Sequence, residues 1–117
     1  MTGYVVNEDR TKLLLCYREK PGLWQPSNGP LSDDDVPHEV IAQYVLRDTG
    51  LEARYVADYD ETGAGVTALI LEADEDALSK YELEERYDAQ WLTRDQILAC
   101  TCVHEPAKDF AELLLAS

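Results

Sequence analysis

Residues 28–51, NGPLSDDDVPHEVIAQYVLRDTGL, constrain the fold more than any other part of this chain. They read as an acidic turn leading into an amphipathic helix that stops at a glycine. Asp35 stands where a helix cap is wanted, because a side-chain oxygen there can accept from the free N–H groups of the first turn. Pro37 falls in that first turn, where its missing N–H costs little. Val36, Val40, Ile41, Tyr44 and Val45 recur at helical spacing and predict one apolar face. Gly50 follows directly, at the place of a left-handed C-terminal cap.

The flanking segments carry strand signals. Residues 3–6 and 12–18 predict a hairpin across the polar turn Asn7-Glu8-Asp9-Arg10. Leu13, Leu14 and Leu15 run without alternation, which predicts a strand covered on both faces. Pro21-Gly22 breaks the chain, and Leu23-Trp24 leads into the central stretch. Residues 52–59 and 66–72 predict two more strands around the turn at 60–65, with 66–71 placed centrally in the sheet. Residues 73–85 are acid-rich and read as a loop, and 86–92 as a short strand. Thr93 and Gln96 form a capping box that starts a short helix through Cys100. Glu105-Pro106 opens a last helix with Ala107, Phe110, Ala111, Leu113 and Leu114 on its apolar side. The fold class is therefore α/β, an α/β/α sandwich around a mixed β-sheet. A chain of 117 residues suits one domain spanning 1–117.

Charge narrows the partners. Twenty-four acids oppose ten bases, a net charge of −14, and four of the bases are lysine. No Lys/Arg cluster exists to neutralise phosphates, which argues against nucleic acid. An acid-rich, lysine-poor composition is a halophile feature, and a halophilic source is expected. No apolar run reaches the ~18 residues of a membrane span, and no signal-peptide core opens the chain, so a cytoplasmic protein is expected. Cys16, Cys100 and Cys102 match neither a disulfide framework nor a zinc pattern and read as reduced thiols.

Three stretches carry a resemblance to a known family. Residues 29–51 follow the length and framing of the pattern G-x5-E-x7-R-E-U-x-E-E-x-G-U, from Gly29 to Gly50-Leu51. Trp24-Gln25-Pro26-Ser27-Asn28-Gly29 stands where Trp-x-x-Pro-Gly-Gly is common. Residues 84–98 are similar to a late segment in which acids precede a strand ending Trp-Leu and a helix follows. With the opening hairpin, the chain resembles the Nudix (MutT-like) hydrolase superfamily over nearly its whole length. The resemblance implies the Nudix fold. It also implies glutamates on one helix face that hold Mg²⁺ beside a diphosphate, with a carboxylate serving as general base.

Most of those letters differ here. The three glutamate positions are Tyr44, Arg47 and Asp48; the preceding arginine is Gln43, and the early glutamate is Asp35. Ser27-Asn28 stands in place of Pro-Gly. Asp48 remains as a carboxylate on the metal face, and Arg47 beside it repels a divalent cation. The box thus reads as degenerate. The expected function is a divergent Nudix-fold protein without normal Mg²⁺-dependent pyrophosphohydrolase activity, binding a nucleotide or other diphosphate. Arg18, Asn28, Tyr44 and Arg47 are the ligand-binding candidates, since a guanidinium can bind phosphate directly. Each has a plainer role: Arg47 as an ion pair with Asp48, Tyr44 as packing. One alternative is an active hydrolase of a nucleoside diphosphate linked to another moiety. It would use Asp35 and Asp48 catalytically, and Mg²⁺ held by Asp48 with Glu84 or Glu85. A second is a protein-interaction module on the same scaffold.

Overall fold

The opening hairpin forms as expected. Strand β1 (Thr2–Val6) runs antiparallel to β2 (Lys12–Arg18), with Val5 opposite Leu14. The computed structural model describes residues 1–18, 22–61, 63, 65–76 and 89–116. Asn7, 2% exposed, closes the turn. Its Oδ1 accepts from the backbone N–H groups of Thr11 at 2.9 Å and Lys12 at 3.0 Å. Its Nδ2 donates to Glu75 at 3.2 Å, tying the turn to the segment after the sixth strand.

β1 and β2 pair only near their turn. Beyond it, β2 pairs with β3 (Leu23–Gln25) and β1 with β4 (Ser27–Asn28). Pro26 separates the two short strands; lacking an N–H, it cannot continue a ladder, and the chain changes partner there. The central helix α1 (Pro37–Thr49) follows. It leads to β5 (Arg54–Tyr59) and β6 (Ala68–Glu72), both shorter at their starts than the sequence pattern suggests. β6 lies inside the sheet, parallel to β1 and antiparallel to β5. β7 (Ala89–Thr93) runs antiparallel to β2. The sheet is thus mixed, in the order β3-β2-β1-β6-β5 with β4 and β7 beside β1 and β2.

Helices cover both faces. The Thr93 hydroxyl accepts from Gln96 N, and the Gln96 side chain accepts from Thr93 N, so the capping box opens α2 (Arg94–Ala99). α3 (Glu105–Leu114) then packs Ala107, Phe110 and Ala111 with Tyr4, Leu13 and Leu15 on one face of the sheet. α1 packs Ile41 and Val45 with Val5, Leu14, Leu69 and Leu71 on the other. The leucine run of β2 is therefore split between two cores, as a strand covered on both sides requires. Among the described residues no helix is long and apolar enough to cross a membrane.

Three expectations are corrected. Asp35 does not cap α1: the cap residue is Val36, without a side-chain cap bond, and the Asp35 carboxylate accepts instead from Ser32 N at 2.7 Å. The turn at 32–35 has captured the oxygen that the helix would have used. Val36 leaves the apolar face at 44% exposure. Leu113 and Leu114 are exposed at 73% and 46%, and Leu115, just past the helix, is buried instead.

Candidate functional site

The last turn of α1 carries the site. Asp48 and Thr49 are both buried there. Thr49 is fully paired: its hydroxyl donates to Val45 O at 2.7 Å and accepts from Leu51 N at 3.2 Å. Gly50, at φ 77°, ends the helix in the left-handed cap that its position predicted. Asp48 is less comfortable. A carboxylate at a helix C-terminus faces the negative end of the helix dipole, and burial removes its water.

Two guanidiniums meet that cost. Arg47 Nε donates to Asp48 Oδ1 at 2.8 Å, and Arg47 Nη2 donates to Oδ2 at 3.3 Å. Arg18, thirty residues away at the end of β2, donates through Nη2 to Oδ2 at 3.3 Å. The Asp48 side chain is 1% exposed, that of Arg18 22% and that of Arg47 55%. Arg47 is thus held by the aspartate while keeping much of its surface in solvent.

Tyr44 supports Arg47 from one turn earlier. The guanidinium carbon lies 4.7 Å from the centre of the Tyr44 ring, a cation–π distance. The ring is itself held at both ends. Its hydroxyl donates to Pro30 O at 2.7 Å, and its flank lies so close to Gly29 that a Cβ there would overlap it. Gly29 is therefore demanded by the ring packed against it. Asn28 belongs to β4, opposite Thr2.

Beneath the ion pairs lies Cys16. Burial pushes its thiol up to about 12, and the Asp48 carboxylate adds to the effect, while Arg18, a hydrogen bond with Ser27 and Arg47 oppose it. The thiol is a protonated floor with little nucleophilic character. Trp91, packed against the core beneath α1, has a buried indole N–H without an acceptor among the described residues. Neither residue stood out in the sequence as part of a site. Alternation along β2 puts Leu14, Cys16 and Arg18 on one face, and that was the available signal.

Of the sequence-derived candidates, Arg18, Tyr44, Arg47 and Asp48 come together, with Gly29 and Pro30 behind them. Asp35 sits apart in the exposed turn before α1. Glu84 and Glu85 lie outside the described residues. Among the described residues no three His, Cys, Asp or Glu side chains are grouped so as to hold a metal ion. Asp48 in particular does not fit the role of metal ligand, since both of its oxygens already accept from guanidinium N–H groups.

No protein-family model matches the chain. A curated MutT-like protein from Streptomyces ambofaciens is 28% identical over 100 residues, covering 83% of this chain and 64% of its own length. The chain thus spans less than two thirds of that relative. A NUDIX-family hydrolase from Clostridium perfringens superposes with a TM-score of 0.64 over 96% of this chain and 94% of its own, at 10% identity. The chain has the Nudix fold and is similar in sequence to a MutT-like protein. A MutT protein from Methanosarcina mazei shares the Nudix fold at a TM-score of 0.59 and 17% identity, over 95% of this chain and 87% of that one. The α1 turn that carries Asp48 closes the stretch whose length and framing resemble the Nudix box.

Proposed function

We propose that this Nudix-fold protein binds a nucleotide or another diphosphate through arginine, without the usual Mg²⁺-dependent pyrophosphohydrolase chemistry. One observation carries this reading: the buried Asp48 carboxylate gives both oxygens to the guanidiniums of Arg47 and Arg18. A site for Mg²⁺ needs several hard oxygens free to face the ion. Here a cation at Asp48 would have to displace two charged donors, and Arg47 repels it. The same donors suit phosphate oxygens, because guanidinium N–H groups are arranged for paired acceptors. Tyr44 offers an aromatic edge beside them, and Asn28 lies on the neighbouring strand.

The test is turnover. Purified protein, given Mg²⁺ or Mn²⁺ and a panel of nucleoside diphosphate derivatives, should leave them intact. The same panel should raise the unfolding temperature, since saturation near 100 times Kd adds about 2.7 kcal/mol. Turnover above ~1 s⁻¹ that vanished in Asp48→Ala would overturn the proposal in favour of an active hydrolase. The descriptions of the relatives as hydrolase and MutT protein favour that second reading.

A further inference from the structure

The proposed binding reading leaves open what Asp48 does, since a buried carboxylate beside an anion site works against it by simple electrostatics. A buried carboxylate repels an anion brought close to it more strongly than an exposed one does, because less water screens the pair. The contacts around Asp48 give it another role. Its Oδ1 takes Arg47 Nε at 2.8 Å, and its Oδ2 takes one N–H from each arginine, both at 3.3 Å. Arg47 therefore meets the carboxylate along its Nε–Nη2 edge, a two-point contact that fixes the plane of the guanidinium. The Tyr44 ring at 4.7 Å limits where that plane can move, and the ring is anchored through Pro30 O and Gly29. Left free, an arginine on a helix surface samples many rotamers and loses that freedom on binding a ligand. Here the two-point contact and the ring restrict that freedom before any ligand arrives.

We propose that Asp48 is a positioning residue of a metal-free oxyanion site: it and the Tyr44 ring hold Arg47, with Arg18 behind, in the orientation that receives a phosphate group. Asp48 thereby takes a part opposite to that of a metal ligand. A cation-binding carboxylate contacts the metal that holds the diphosphate, whereas this one acts on the ligand through an arginine.

The proposal rests on the binding reading above, and its test separates the two. Binding of inorganic pyrophosphate and of ADP is measured by calorimetry in EDTA and again in Mg²⁺. The wild type should bind in EDTA with no requirement for Mg²⁺. Asp48→Asn should weaken binding by about tenfold or more, although it removes a negative charge near an anion. Tyr44→Leu keeps the carboxylate and should weaken binding in the same direction. In an Arg47→Gln background, Asp48→Asn should cause a much smaller further loss, the part that runs through Arg18; a merely structural effect would add in full. Equal or tighter binding by folded Asp48→Asn, with the wild type binding in EDTA, would overturn the positioning role and leave the binding reading standing. Should Asp48→Asn fail to fold, unchanged binding by Tyr44→Leu overturns it instead. A wild type that binds neither probe, or binds only with Mg²⁺, overturns both.

Discussion

Asp48 and Cys16 show how single side chains in this protein are set by their surroundings. Asp48 tolerates burial at the negative end of α1 because two arginines neutralise it from different elements. Half of that arrangement was legible in the sequence: Arg47 adjoins Asp48, and their ion pair was the plainer expectation for Arg47. Arg18 was not, since thirty residues of chain separate it from Asp48 and only the fold brings the two together. Cys16 yields a prediction in pH. Its thiol, ordinarily near 9.0, is pushed up to about 12 by burial. Below 9.0 the folded and unfolded chains both keep the proton. Between that value and about 12 only the unfolded chain loses it, so stability falls as pH rises through this window. Tyr4 and Tyr59 are raised as well, chiefly by burial, and act in the same direction at higher pH. Denaturant titrations from pH 8 to 10.5 should therefore show declining stability, with a shallower decline in Cys16→Ala. An identical slope in the variant would contradict the assignment.

At the scale of elements, the parts with local signals formed where the sequence placed them. The β1–β2 hairpin, the all-buried leucine run, the Pro37 start and Gly50 stop of α1, and the capping box of α2 depend on neighbours within a few residues. The parts that differed depend on more distant competition. Ser32 took the Asp35 carboxylate from the helix end, and β3 and β4 are too short to carry a periodic pattern. The contact between β1 and α1 is tight enough to test. A Cβ on Gly3 would overlap Ile41 Cγ2 and press on Leu71 Cδ1 at 3.1 Å. Both neighbours are core side chains with little room to move. Gly3→Ala should cost about 1–3 kcal/mol by overpacking, read as a lower denaturant midpoint at unchanged slope. A variant as stable as the wild type would mean that α1 sits farther from the sheet than described.

The whole molecule combines a familiar scaffold with an unusual distribution of charge. Its Cα radius of gyration is 13.2 Å, close to the ~13.4 Å expected for a folded chain of this length. Twenty-four acids give it a net charge of −14, a surface that attracts cations broadly. Within that field two of its ten bases converge on one buried aspartate at the end of α1. On the proposed reading this aspartate belongs to the arginines and takes no divalent cation. Paramagnetic broadening by Mn²⁺ tests it most directly, with the backbone amides of the isotope-labelled protein as reporters. At one equivalent of Mn²⁺, the amides of Thr49, Gly50 and Leu51 should keep their intensity while exposed acidic segments lose theirs. Selective broadening centred on Asp48 and its neighbours would show instead that the carboxylate takes the cation.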